Sequence, residues 1–180
     1  GYRYDPRDPV PTLWTQRLMS GATDRSRLNY RRDILRYRSP VLEKDTAVAG
    51  HPEIVLFIAS SAPDTDFFVW LADEHPDGRA VEICYGMVRA RYRMGFESEK
   101  LLTPGEVAEL HIELGPTACR FLAGHRIRVD ISSSDFPNFD RNHNRGRNDM
   151  LDPELNVAYQ RIHQGANRPS RLRLPIVETD

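Results

Sequence analysis

A chain of 180 residues can hold one domain with a full hydrophobic core and is too short for two ordinary ones. Its 25 Lys+Arg against 26 Asp+Glu leave a net charge of -1, which removes the basic field that draws a protein to nucleic acid or to an anionic membrane. The longest wholly apolar runs, such as Ile54 to Ala59, fall far short of the roughly 18 to 20 residues of a bilayer span, so a soluble chain is expected, with the cytoplasm favoured.

Tyr2 to Thr12 carries Pro6, Pro9 and Pro11 with charges between them, which forces extended backbone and prevents a helix from starting. It reads as a linker or as an arm laid over a surface. It also lacks the basic start and apolar stretch of a signal peptide, and Gly1 in place of Met points to a processed chain or a piece of a longer one. Leu13 to Asp33 has no clean period, and Gly21 with Thr23, Asp24 and Ser26 marks loop. Residues 1–33 are therefore read as arm and loop, and residues 34–180 as the domain proper.

From Ile34 the period is two. Glu53 to Ser60 (EIVLFIAS) and Asp66 to Asp73 (DFFVWLAD) read as short strands covered on both faces. Pro76, Asp77 and Gly78 suit a tight turn, so Ala80 to Tyr85 returns as the second arm of a hairpin. Met87 to Arg93 predicts a half-buried strand with Val88, Ala90 and Tyr92 inward and Arg89, Arg91 and Arg93 on a solvated or ion-paired face. Glu106 to Leu114 alternates with Leu110, Ile112 and Leu114 inward and His111 on the surface. After Gly124, Arg126 to Ser132 (RIRVDIS) has Ile127, Val129 and Ile131 as its buried row. Asn156 to Ile162 and Arg171 to Val177 are the last strands, the latter with Leu172, Leu174 and Ile176 in register. Many short strands between Pro and Gly turns, with no helix of three turns, predict two packed antiparallel sheets: an all-β sandwich or jelly roll.

The residues that invite chemistry are scattered. No G-x-S-x-G occurs, and an all-β chain offers no strand-to-helix elbow for a strained nucleophile. His143 near Asp140, with His163 further on, lacks metal-ligand spacing, so no metal and no cofactor is assigned. Asp64 and Asp66 are expected to shape a loop through side-chain to backbone hydrogen bonds. Cys84 and Cys119 fall on different strands beside buried neighbours, which predicts free thiols. Ile131 to Gly146 (ISSSDFPNFDRNHNRG) is the densest segment. Its Phe136 and Phe139 gain roughly 1.5 to 3 kcal/mol each if buried, either as a plug for the domain's own end or as a wall against another domain.

The stretches YDPRDPVPT, SSAPDTDFFVWLADEHPDGRAVEICYGMVRARYR, LTPGEVAELHIELGPTACRFLAGHRIRVDISSSDFPNFDRN and RLRLPIV, in this order, closely resemble the C-terminal domain of the cocaine esterase and X-Pro dipeptidyl peptidase family. That family of serine hydrolases includes α-amino acid ester hydrolases. The resemblance implies a jelly-roll β-sandwich of the galactose-binding-domain-like type. It also implies that the catalytic triad sits on a preceding α/β-hydrolase domain, absent from these residues, on which the jelly roll packs to help wall the acyl pocket. No catalytic residue is then expected here. The resemblance places Asp64, Asp66 and Phe67 at that junction or pocket wall, together with Ser134, Asp135, Phe136, Phe139, Asp140 and Asn142.

The expected function is thus that of an accessory domain in ester or amide acyl hydrolysis. Its partner is the catalytic domain of the same enzyme, with homo-oligomer formation allowed and no nucleic acid or membrane. The alternative is a free-standing carbohydrate- or ligand-binding sandwich, for which Trp14 and Trp70 are poorly placed. A distinct enzyme built on Asp135, Asp140 and His143 lacks a nucleophile to complete it.

Overall fold

A computed structural model describes residues 1–13 and 23–178. The loop marked by Gly21, and Trp14 with it, lie outside the described residues. In chain order the strands are β1 (Tyr2–Tyr4), β2 (Leu35–Arg38), β3 (Thr46–Gly50), β4 (Glu53–Ser60), β5 (Asp66–Glu74), β6 (Ala80–Arg89), β7 (Val107–Glu113), β8 (Thr117–Phe121), β9 (Arg126–Ser132), β10 (Ala158–His163), β11 (Arg171–Arg173) and β12 (Ile176–Val177). Short 3-10 turns occupy Arg25–Leu28 and Ala90–Tyr92, and the described residues contain no α-helix.

All named strand pairs are antiparallel. One sheet runs β2-β9-β5-β6; opposite it, β4 pairs with β7 on one side and with β10 and β11 on the other, while β12-β3-β8 forms a third, smaller sheet. This is an all-β sandwich consistent with a galactose-binding-like jelly roll. Its core is made by alternate residues: Ile54, Leu56 and Ile58 of β4 and Leu110 and Ile112 of β7 join Phe67, Val69 and Leu71 of β5 and Val129 and Ile131 of β9. Each such side chain is worth roughly 1.5 to 3 kcal/mol in removed apolar surface. The expected turn between β5 and β6 is present, with Gly78 at φ 88°, a conformation that side chains with a Cβ rarely adopt. Cys84 is buried, Cys119 is half-buried, and both are free.

The outer face of the β2-β9-β5-β6 sheet is covered by the chain's own beginning. Tyr2 and Tyr4 are buried and β1 extends the opposite sheet through β10. The segment from Thr23 to Asp33 starts at the edge of β6, where Glu82 N donates to the Thr23 carbonyl at 2.8 Å, and crosses that outer face, where Ser132 Oγ donates to the Asp33 carbonyl at 2.8 Å. Val10, Leu28 and Ile34 form a separate apolar cluster in this covering layer.

Three local expectations are corrected. Ala80 to Arg89 is one strand, and the backbone then tightens into the Ala90–Tyr92 turn. Alternation therefore ends at Arg89; Arg91 is buried and ion-paired to Asp64, as Arg89 is to Asp66, so the ion-paired form of the expectation for these two arginines holds and the solvated one does not. Arg171 to Val177 is two strands in different sheets, because Pro175 removes a ladder donor between them and Ile176 is left exposed. In β9 both rows are buried: Arg128, Asp130 and Ser132 are sealed under the covering segment while Ile127 is only partly covered.

A candidate docking end

Residues 61–65, 90–106 and 133–157 all leave the sandwich at one end. The register requires this, since Asp66, which begins β5, faces Arg89, which closes β6, and Phe68 faces Ser132, which closes β9. Asp64 and Asp66, separated by one residue, both point into this end and are fully buried. Asp64 accepts from the Arg91 backbone N and Nε, each at 2.9 Å. Asp66 accepts from Arg89 Nε at 2.9 Å and Nη2 at 3.0 Å. The Asn142 side-chain nitrogen bridges them, donating at 2.7 Å to Asp64 and 2.8 Å to Asp66.

Two carboxylates sealed from water are tolerated only when paired and hydrogen-bonded. Even so, burial pushes the Asp66 carboxyl up to about 6, against the downward pull of Arg89 and the Asn142 amide. Arg89 continues outward to Asp140 at 3.0 Å and Asp149 at 3.7 Å, and Arg91 to the Arg147 carbonyl at 2.9 Å and Glu99 at 3.4 Å. The result is a cross-linked ring of charge under three loops. Asp64 and Asp66 thus do fix loop geometry, chiefly through arginine and asparagine side chains; Asp64 alone takes a backbone amide as well.

The other sequence-predicted residues fall in different settings. Phe67 is in the sandwich core, so its ring has no part in a junction. Ser134 Oγ accepts from Val10 N at 2.8 Å, and Ser133 Oγ shares a 2.8 Å hydrogen bond with the Tyr2 hydroxyl, so these serines hold down the arm. Asp135 is buried, which raises its carboxyl pKa, and accepts from Asn138 at 3.0 Å. His143 Nδ1 donates to the Asp152 carbonyl at 2.8 Å, so Asp135, Asp140 and His143 are each engaged elsewhere and form no catalytic group. Phe139 is half-buried edge-on against Phe68, with ring centroids 5.0 Å apart, whereas Phe136 is 40% exposed.

An open groove of about 500 Å³ lies beside the charge ring, lined by Arg89, Arg91, Tyr92, Glu99, Asp140 and Met150 among others. Large apolar side chains of the same loops stand in water: Met150, in the groove lining, is 93% exposed, its chain neighbour Leu151 81%, and Phe96, whose ring is 5.7 Å from that of the lining residue Tyr92, 88%. Sequence reading missed these residues because single apolar residues in polar loops carry no period. It also missed Asp73, His75 and His125, a group with metal-ligand chemistry at the opposite end of the same sheet. The D-x-H spacing puts Asp73 and His75 on one side of an extended chain, but only strand pairing brings His125 to them.

The model of the X-Pro dipeptidyl-peptidase C-terminal non-catalytic domain matches residues 3–173. The chain belongs to this family. As an X-Pro dipeptidyl-peptidase C-terminal domain it corresponds to a non-catalytic module found in larger serine hydrolases, in keeping with the lack of a Ser-His-Asp triad among the described residues. It is 42% identical to a cocaine esterase of Rhodococcus sp. (strain MB1 Bresler), covering 98% of this chain and 32% of that protein. It is 33% identical to a putative serine esterase of Mycobacterium bovis, over 81% of this chain and 24% of that one. The chain thus spans about a third or less of these curated relatives. Among solved structures, an aminopeptidase from the marine sediment archaeon Thaumarchaeota archaeon superposes with a TM-score of 0.91 at 30% identity, over 98% of this chain and 33% of its own. An α-amino acid ester hydrolase superposes at 0.92 and 28% identity, over 98% and 32%.

Proposed function

We propose that this domain docks through its loop end onto the α/β-hydrolase catalytic domain of a serine ester or amide hydrolase and contributes to the wall of its acyl pocket. The observation that carries this reading is the exposure of Phe96, Met150 and Leu151 on the loops of one end, with Met150 lining a groove beside the cross-linked charge ring. Exposed apolar side chains gathered on one surface gain most from a partner, and loops pinned by buried ion pairs present them in a fixed arrangement. The near-neutral charge gives no reason for a nucleic-acid or membrane partner.

The test is the double substitution Phe96→Ser with Met150→Ser in the full-length protein that carries this chain. It should lower kcat/KM toward activated esters and increase protease cutting between the domains, although every triad residue remains. The 180-residue chain with the same changes should keep its stability within roughly 0.5 kcal/mol, as surface substitutions do. Unchanged catalysis and unchanged protease resistance in the full-length protein would refute the docking role of this end.

A further inference from the structure

At the end of the sheet opposite the docking loops, β5 runs out into the turn His75 to Arg79 and β9 begins after the turn at Gly124. Asp73 and Ile127 are register partners, so the side chains just beyond meet. His125 Nδ1 is 2.9 Å from Asp73 Oδ1, His75 Nε2 is 3.5 Å from Asp73 Oδ2, and the two imidazole centroids are 4.3 Å apart. All three donor atoms lie within 4.8 Å of one another. The side chains of Asp73 and His125 are 12% and 11% exposed and that of His75 is 24% exposed, so the group is sheltered with one open side.

We propose that Asp73, His75 and His125 form a binding site for a divalent transition metal, with zinc as the natural occupant. Two imidazoles and one carboxylate are the donor set of zinc, nickel and copper, and a poor one for calcium or magnesium, which take oxygen ligands. Tetrahedral zinc with bonds near 2.0 to 2.1 Å separates its ligand atoms by about 3.3 Å, close to the 3.0 and 3.5 Å that separate Asp73 Oδ2 from His125 Nδ1 and His75 Nε2. Both turns are fixed by their own hydrogen bonds, His75 N to the Arg79 carbonyl at 2.8 Å and His125 N to the Leu122 carbonyl at 3.1 Å, so the ligands are held in place beforehand. The ion would tie the β5–β6 turn to the β8–β9 turn and leave a fourth position toward solvent.

One neighbour opposes the ion. Arg79 Nη2 lies 3.5 Å from His75 Nδ1 and favours the proton on Nε2, the atom that must be bare to bind metal. Arg79 is 57% exposed and anchored outward to Asp77 at 2.8 Å, so it can withdraw.

The experiment is a titration of the chelator-stripped 180-residue chain with Co²⁺, followed by displacement with Zn²⁺. One equivalent of Co²⁺ should give the visible bands of a four-coordinate ion, Zn²⁺ should abolish them, and Zn²⁺ should raise the melting temperature. His75→Gln and His125→Gln should each weaken binding at least about tenfold; the first sits in a partly open turn, so its fold survives and the comparison stands. Arg79→Ala should bind more tightly, and weaker binding in that variant would count against His75 Nε2 as a ligand. Absence of saturable binding would overturn the proposal. So would binding that survives both histidine changes but is lost in His111→Ala, where Glu53 and Glu109 flank an exposed imidazole on the outer surface.

Discussion

The guanidinium of Arg25 lies over the ring of Trp70, its central carbon 3.9 Å from the ring centroid, and the same group pairs with Asp130 at 3.0 Å and Glu82 at 3.3 Å. Trp70 is 2% exposed, so among the described residues the outer sheet face offers no bare indole on which a sugar could stack. Arg25→Met should remove both the cation over the ring and one partner of each carboxylate, at a cost of roughly 3 kcal/mol. Urea melts would measure the loss, and in a Trp14→Phe background the Trp70 emission should shift to longer wavelength. Stability within about 0.5 kcal/mol of the parent would mean that the covering segment is held by other contacts.

Asp66 sets a pH dependence of definite sign. Its carboxyl titrates at about 6 in the fold, against about 3.9 in an unfolded chain. Between those values the folded chain holds a proton that the unfolded chain lacks. This group's contribution to stability is therefore full below about pH 4 and is lost as pH rises through about 6. Asp66→Asn should flatten the stability curve across that window. Carboxyl NMR of Asp66 should give a midpoint near 6, and a midpoint below about 4 would reverse the sign.

The bridge at Asn142 is a separate prediction. Asn142→Leu takes a donor from both Asp64 and Asp66 and should cost roughly 1 to 3 kcal/mol, because the carboxylates stay buried. Asn142→Asp should cost more, since it adds a third negative group to the same space. Denaturant unfolding that ranks Asp above Leu in stability would show that the amide bridge is not what holds these loops.

Phe136 and Phe139 should behave differently in the 180-residue chain. Phe139 packs on Phe68 and Tyr85, so Phe139→Ser should cost about 1 to 2 kcal/mol, well below the roughly 3 to 5 kcal/mol of an emptied core site. Phe136 meets mainly the Arg141 guanidinium, 5.2 Å from its ring centroid, and Phe136→Ser should be nearly neutral. A core-sized loss at Phe136 would make it an internal plug.

Hydrolytic silence is the last expectation. Ser133 is bonded to Tyr2 and Ser134 to Val10, with no histidine beside them to take a proton. A fluorophosphonate probe should leave the chain unlabelled by mass spectrometry, and stoichiometric labelling at Ser132, Ser133 or Ser134 would contradict the non-catalytic role.

The sequence by itself determined the strands whose one face is apolar and whose neighbours are turn residues. Residues 107–113 were legible because side chains alternate at a period of two, residues 53–60 as a short apolar run covered on both faces, and the hairpin at Gly78 from its Pro, Asp and Gly turn residues, all local properties of the chain. The choice of an all-β sandwich followed from them. The candidate site was legible only in part: Asp64, Asp66 and Asn142 were named as residues of one junction, but nothing in their spacing showed that a single amide joins them. Only the tertiary structure decided that Arg128 and Asp130 are sealed, that Arg25 caps Trp70, and that Asp73, His75 and His125 converge. Each of these rests on a partner distant in sequence: Arg25 comes from a segment without period, and His125 reaches Asp73 only through the pairing of β5 with β9. The alternation of β9 specifies two faces but cannot say what covers the polar one, because burying charge depends on the pairing of opposite groups across the fold rather than on any property of the strand that carries them.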